Sequence, residues 1–582
     1  MTSADKTEKS RSTDDSSDLD VLFTKSGGFG YYQIILAISE QWLALHLCCT
    51  ATVFYALGTI PPVLHCNDAD WNQTMEEAKY DDKEKLMCHV RENCTDFNRT
   101  LEFRSFANEF DLLCDREYLH RLIPTITGAI GLIWGLIFGH LIDHLGRKWL
   151  FLIGYCLALF FTYLASFSES YVMLLGSFIG MAFSEYGVSY VYFSELVTKR
   201  YRSVIAVCTQ WSIAYCSNAL LGYLTGTWRY YLLSVAVICT PLAIIYMFLL
   251  VESPRWLIQK KKFESAKQSL KKIALINRIS NDRMNDLINE PLEQYHLCHE
   301  KKYPYNFFYL FSSHQMVIRS ILQSLHVSVN VMAATVILYD IHTLAGGTYL
   351  NIAMHGLFRL WVPFAIVAID WKAPRFGRKY WLMSSLAFVM ICYIGNSAIF
   401  IANKQTELKI LYTVFSHGAA LIVVSVFIIT VQLYNVELFP TVMRNIASSC
   451  ISIVAGISGI LVPQILLLRH KWRPLPFFVV TILCIITFVL DMFLLPETHG
   501  KPLIEALDQV KDGAVDDVED AKPDVAKAYN VNGENKFVNG ITEKNNAPKI
   551  ILRQIMELKN RSTVVPDGNT DNFKTKVSPT TE

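Results

Sequence analysis

The sequence predicts an all-α membrane protein with twelve transmembrane helices in two groups of six. Three observations lead there. Apolar residues collect into runs of about 18–25 residues, long enough to cross a bilayer core of roughly 30 Å, and in lipid such a run satisfies its backbone only as a helix. The composition agrees: 52% of the 582 residues are hydrophobic and 18% are charged, and mean hydropathy is +0.28. Finally, a Gly-Arg-Lys triplet stands at 146–148 and again at 377–379, after the second and the eighth run, so the two halves of the chain repeat a pattern. The net charge of +1 gives no reason to expect nucleic acid as a partner.

Taken in order, residues 1–27 are polar, carry both signs of charge and read as a cytosolic tail without a cleavable signal. The first span, 31–57, is too long for the apolar core of a signal peptide. Segment 58–120 is polar and holds Cys66, Cys88, Cys94 and Cys114, together with sequons at Asn72, Asn93 and Asn98. Sequons and an even cysteine count in one loop point to an oxidising, lumenal or extracellular setting; four cysteines allow three pairings, all open at this point. Spans follow at 121–141, 149–167 and 170–193, then at 204–224 and 230–251. The third and fourth are joined by a very short turn, as are the fifth and sixth, the pattern of packed antiparallel helices. Segment 252–315 is polar, with Lys260, Lys261, Lys262, Lys271 and Lys272 in a helical charge pattern, and reads as a cytosolic linker along the membrane surface. Six more spans lie at 316–338, 348–369, 380–401, 408–432, 445–467 and 474–495. The domain plan is therefore a first half at 28–251, the linker, a second half at 316–497 and a polar, disordered cytosolic tail at 498–582.

Orientation follows from the positive-inside rule. Arg147 and Lys148, then Lys199, Arg200 and Arg202, then Lys372, Arg375, Arg378 and Lys379 all fall on the side of the 252–315 linker. That side is predicted to be cytosolic, with both termini, and the sequon-bearing loop to be outside. Arg469, Lys471 and Arg473 form one exception on the outer side.

Local motifs narrow the reading. The loop after the second span runs from Gly139 through Asp143 to Lys148, and its counterpart from Asp370 to Lys379. The cysteine-rich loop closes with Glu109-Phe-Asp-Leu-Leu-Cys114-Asp115. Glu252-Ser-Pro-Arg-Trp-Leu257, Glu437-Leu-Phe-Pro-Thr-Val-Met-Arg444-Asn445 and Pro496-Glu-Thr-His-Gly500 follow spans six, ten and twelve. These phrases resemble those of the major facilitator transporters, and the loop phrase resembles the organic cation/anion transporter family (solute carrier family twenty-two). The resemblance covers about residues 28–505. It implies transport of small organic ions at the plasma membrane by alternating access, with the ion and the lipid bilayer as partners. It also implies gating by a charge network of Asp143, Arg147, Glu195, Arg202, Glu252, Arg255, Arg378, Glu437, Arg444 and Glu497, whose pairs tie the halves together when the transporter opens outward.

The sequence departs from that family where the family marks substrate charge. Gly176 stands for an arginine in span four, Gly456 for the charged residue of span eleven, and Trp361 for the acid before the span-eight proline. Three ionisable residues remain well inside spans: Glu40, Glu185 and Arg359. Such groups are costly in lipid and face a cavity or a partner. Glu40 and Glu185, on spans that line the cavity of the superfamily, suit a cation or a proton. With Tyr339, which resembles an aromatic position of span seven, and with Arg359 and Trp361, they are the candidate substrate-binding residues. Trp42, Tyr186 and Tyr190 add aromatic faces for organic cations. His326, His355 and His417 read as hydrogen-bonded helix residues without ligand spacing, so no metal is expected. There is no phosphate loop and no nucleophile–base set, so neither a cofactor nor enzyme activity is expected. The expected function is organic-ion transport, cations slightly ahead of anions and zwitterions. The alternatives are a sugar or other neutral-solute porter, and a transporter-like receptor or scaffold.

Overall fold

Each of the twelve predicted runs lies on a helix. Spans one to six are Tyr31–Leu57, Glu117–Leu145, Arg147–Ser166, Tyr171–Phe183, Ser212–Thr225 and Trp228–Leu249. Spans seven to twelve are His314–Tyr339, the broken pair Thr348–Leu360 and Val362–Lys372, Arg378–Ile401, Lys409–Phe427 with its π-helical end Ile428–Tyr434, Arg444–Leu467 and Leu475–Leu494. The computed structural model describes residues 28–58, 60, 63–66, 88, 97–100, 102–183, 192–193, 195–198, 211–279, 310–311, 313–372, 377–439 and 444–498. All lie in one compact unit, Met1–Val515. Among them, eight helices are by themselves long and apolar enough to cross a membrane. The predicted spans four (170–193) and five (204–224) also include residues outside the described set.

The break in span eight has a local cause. Pro363 has no N–H to give the Arg359 carbonyl, so Trp361 turns its own N–H to that oxygen and the helix restarts at Val362. Span two begins at Glu117, earlier than its apolar run, because Glu117 suits a helix N-terminus and pairs with Arg121 one turn on.

The cysteine-rich segment closes the end where spans one and two are joined, called here the loop end. Strands β1 (Val63–Cys66) and β2 (Phe97–Thr100) pair antiparallel, and a disulfide joins Cys88 to Cys114. Of the open pairings, this one is formed. Cys94, Asn72 and Asn93 lie outside the described residues, as do the side chains of Cys66 and Asn98. At the opposite, basic end, the linker helix Phe263–Ile276 buries Ala266, Leu270, Ile273 and Ala274 on one face. Asn277 then ties the linker to span one, accepting from the Tyr32 N–H at 2.9 Å and donating to Gln33 at 3.2 Å.

The halves meet chiefly along spans five and eight and along spans two and eleven. Small residues allow the close approach, as is general for helices in lipid. A Cβ at Gly356 would collide with the Ser212 carbonyl oxygen and reach the Cys216 sulfur at 3.0 Å. At Gly456 it would meet Leu132 of span two at 3.0 Å, so a charged side chain there would displace that helix. Gly176 faces open space. Gly356→Ala is therefore expected to lower the melting temperature of the purified protein by several degrees, about 1–3 kcal/mol of overpacking, and Gly176→Ala to leave it unchanged. Equal behaviour of the two variants in a thermal-denaturation assay would refute this account of the interface.

Candidate functional site

The predicted charge network takes shape at the basic end as two copies of one device. In the first half, Gly146 adopts φ 106°, a conformation open to glycine. The turn brings the N-terminus of span three onto Glu252. That carboxylate accepts from the Arg147 N–H at 2.7 Å and the Lys148 N–H at 3.2 Å. Arg147 pairs with Glu195 at 3.3 Å, and Arg255 donates to the Glu195 and Val197 carbonyls. In the second half, Glu497 accepts from the Arg378 and Lys379 N–H groups at 3.0 and 3.1 Å, Arg378 pairs with Glu437, and Thr498 donates to Glu437. A Cβ at Gly146 or Gly377 would run into the Glu252 or Glu497 carboxylate. The Gly-Arg-Lys repeat is thus explained: the glycine leaves room for an acid, and the next two residues present N–H groups to it. Such a carboxylate also suits the positive end of the helix dipole. Each of these bonds joins residues of one half, or of one half and the segment that directly follows it. Arg202 and the side chains of Asp143 and Arg444 lie outside the described set.

At the loop end the bonds run from half to half. Arg121 of span two, its side chain 4% exposed, pairs with Glu117 and donates to the Tyr339 hydroxyl of span seven, its guanidinium 4.8 Å from that ring. Arg469 covers the same ring at 5.8 Å and pairs with Asp340, which also accepts from Tyr412 at 3.2 Å. Gln464 donates to Thr125 at 3.0 Å. The segment after β2 spans both halves as well. Glu109 accepts from Arg229 at 2.7 Å and Trp228 at 2.9 Å in the first half. Burial would raise the pKa of Glu109, but these bonds outweigh it and hold the carboxyl below the usual range. Seven residues earlier, Glu102 accepts from the Thr348 N–H and hydroxyl, both at 3.1 Å, in the second half.

Between the ends, Glu40, Arg359, Tyr339 and Trp361, the predicted substrate residues that are described, do not converge into one cluster. Glu40 is 3% exposed and lies within electrostatic reach of Tyr246 in span six. Arg359 sits midway along span eight at the seam with span five. It donates to His355 at 3.1 Å and places its guanidinium 5.5 Å from the Tyr215 ring. Tyr339 belongs to the loop-end cluster. Trp361, 67% exposed, points away from the packed interior. Trp42 donates to the Ile238 carbonyl. Glu185, Tyr186 and Tyr190 lie outside the described residues. Of the three histidines, His417 meets Asn351 at 3.4 Å and His355 receives Arg359. His326 bonds Asp491 at 2.8 Å, with side chains 1% and 0% exposed.

Sequence reasoning passes over Arg121, Asp340 and Asp491. Arg121 stands at the edge of its apolar run and Asp491 in the last turn of span twelve, where charge is ordinary. A usable signal existed for Arg469: it belongs to the outer loop that breaks the positive-inside pattern, and an anomalous charge needs a partner.

Comparison with known proteins agrees with this architecture. The profile of the family described as "Sugar (and other) transporter" matches residues 48–508. Human organic cation/carnitine transporter 2 is 27% identical over 435 residues, covering 72% of this chain and 74% of that protein. The organic cation transporter-like protein of Drosophila melanogaster is 25% identical over 429 residues, covering 71% and 73%. Among solved structures, a partially occluded inward-open form of the xylose transporter XylE from E. coli superposes with a TM-score of 0.52 at 16% identity, covering 81% of this chain and all of that one. The fold is that of the major facilitator superfamily, and the sequence resemblance to organic cation transporters is borne out. With 461 consecutive positions, residues 48–508, matched to one profile and twelve helices in two six-helix halves, the chain belongs to the sugar (and other) transporter family of membrane transporters.

Proposed function

We propose that this transporter carries small organic ions across the plasma membrane, cations ahead of anions and zwitterions, by alternating access. The basic end faces the cytosol with both termini, and the cysteine-rich, glycosylated loop faces outside. The halves are 28–251 and 316–497, and the 252–315 linker joins them. The observation that carries the substrate class is similarity over more than two thirds of the chain to a human organic cation/carnitine transporter and to an organic cation transporter-like protein of the fly. The acids Glu40 and Glu185 add the preference for cations. Support for alternating access comes from where the described bonds lie: half-to-half bonds such as Arg121–Tyr339, Glu102–Thr348 and Gln464–Thr125 gather at the loop end, and the two helix-capping carboxylates described at the basic end each serve their own half. This is the arrangement of a carrier shut toward the outside. Opening outward would release Arg121 from Tyr339 and Glu102 from Thr348, and would bring the two basic-end clusters together as gating elements.

Uptake of labelled organic cations, anions, zwitterions and sugars, measured with and without imposed pH and voltage gradients, tests the reading. The expected result is saturable uptake of an organic cation above that of mock cells. Saturable uptake of a sugar alone would replace this reading with a neutral-solute porter.

A further inference from the structure

The two copies of the Gly-Arg-Lys device differ at their lysines. In the second half Lys379 donates to the Met492 carbonyl at 3.1 Å, near the end of span twelve. A cation suits that place, because the last carbonyls of a helix carry the negative end of its dipole. In the first half the corresponding end of span six is served by the linker helix instead: Lys272 donates to the Phe248 carbonyl at 2.6 Å. Lys148, the counterpart of Lys379, turns its ammonium to the Trp149 ring, 5.1 Å from the centroid. The linker thus brings a second ammonium to a helix end that already has its own.

The pair is uncompensated. Burial, and after it the Lys148 charge, pull the Lys272 pKa below the usual lysine range, so the two groups are close enough to repel. Glu252 meets Lys148 at its backbone N–H, not at its ammonium. Among the described residues, no carboxylate forms an ion pair with either ammonium. Each ammonium has three donors and no acceptor, and Lys272 spends one of them on Phe248, so donors are left over. The surroundings are apolar and outward-facing. Trp149, Phe248 and Leu275 are each more than half exposed, and Leu275 stands three residues on from Lys272, on the same face of the linker helix. Exposed apolar side chains at the end of a membrane span meet lipid, and aromatic ones favour the headgroup level.

We propose that Lys148 and Lys272 together hold the phosphate of an anionic phospholipid in the leaflet at the basic end, with its acyl chains along Trp149 and Phe248. Two ammonium groups on different elements suit the two free oxygens of a phosphodiester, through charge-assisted bonds. A headgroup without a cation of its own removes their repulsion, whereas a zwitterionic headgroup brings in another positive charge. Bound there, the lipid fastens the linker helix to spans three and six. The inference concerns a site apart from the transported ion and does not depend on which ion is carried.

The test follows thermal stabilisation of the purified full chain in a non-ionic detergent. Dioctanoyl phosphatidylglycerol, dioctanoyl phosphatidylcholine, glycerol phosphate and inorganic phosphate are titrated separately. The expected result is saturable stabilisation by the phosphatidylglycerol alone. Lys148→Gln and Lys272→Gln should each raise its half-saturating concentration about fivefold, and the double variant about thirtyfold, the effect of one and two lysine charges at an anionic surface. Lys272→Arg keeps the charge and should stay near the unsubstituted protein. The charge-matched double variant Lys379→Gln/Lys404→Gln should move the value by less than about twofold. Stabilisation by phosphatidylcholine equal to that by phosphatidylglycerol, or saturation by glycerol phosphate or inorganic phosphate at the same concentrations, overturns the inference. So does an unchanged half-saturation in the Lys148→Gln/Lys272→Gln variant, or an equal loss in the charge-matched one. If the double variant does not fold, the unsubstituted protein decides: raising the salt concentration should weaken phosphatidylglycerol binding several-fold, and a salt-independent half-saturation overturns the inference.

Discussion

Replacing Glu252 or Glu497 with alanine is expected to slow transport at least about tenfold while substrate affinity stays within a few-fold. Each carboxylate caps a helix N-terminus through two backbone N–H groups, at 2.7 and 3.2 Å for Glu252 and at 3.0 and 3.1 Å for Glu497. Loss of an N-terminal cap costs about 1 kcal/mol, and loss of the charge at the helix dipole adds roughly 0.3–1 kcal/mol. The sum corresponds to about a tenfold change in the equilibrium that the device controls. Glutamine retains an acceptor oxygen and loses the charge, so Glu252→Gln should fall between alanine and the unsubstituted protein. The two sites stand in different halves, so their effects on stability should be nearly additive in the double variant. Initial uptake rates, normalised to surface expression, read the effect on transport, and ligand-induced stabilisation reads affinity. Unchanged rates in both alanine variants would remove these acids from the gating mechanism.

The second large effect is expected at the opposite end. Arg121→Ala removes a nearly buried charge that holds Glu117 and the Tyr339 hydroxyl at once. Leaving a buried partner unsatisfied costs about 1–3 kcal/mol, more for a charged one. That cost falls on the state closed at the loop end, where the bond exists. A loss of about 1.4 kcal/mol shifts the equilibrium tenfold toward the outward-open form. A cysteine placed at Thr125, beside the Gln464 contact, should then react about tenfold faster with a membrane-impermeant thiol reagent added outside. Tyr339→Phe deletes one hydrogen bond and keeps the ring beneath both guanidinium groups, so it should move the rate by only a few-fold. Equal labelling rates in Arg121→Ala and in the parent would show that the cluster does not hold the outer side shut.

The fold was legible because its signals are local. Every span is a run of apolar residues, and the Gly-Arg-Lys repeat marks corresponding turns in the two halves. The duplicated device was legible as well, since its acids stand in phrases at the ends of spans six, ten and twelve. The pairing within it was not: Glu252 caps a helix that begins 105 residues earlier, and Glu497 one that begins 119 residues earlier. No periodicity encodes such contacts. The loop-end cluster was harder still, because Arg121 and Tyr339 are 218 residues apart and lie in different halves. Hydropathy also hides Arg121 and Asp491, since charge near the end of a span is normal and only the folded structure shows that these side chains are buried. Tyr339 shows the limit of a position read by resemblance: the aromatic is present, and here two arginines of the loop-end cluster occupy its ring.

The central claim is that two halves exchange access to a site for organic ions. Counterflow in proteoliposomes tests it most directly: vesicles holding the purified protein are preloaded with a concentrated unlabelled quaternary ammonium ion and diluted into a low concentration of the same ion carrying label, whose entry is followed. Alternating access predicts a transient accumulation of label above equilibrium, abolished when the preload is omitted. Entry that rises only to equilibrium, with or without preload and no faster than in protein-free liposomes, would contradict the account.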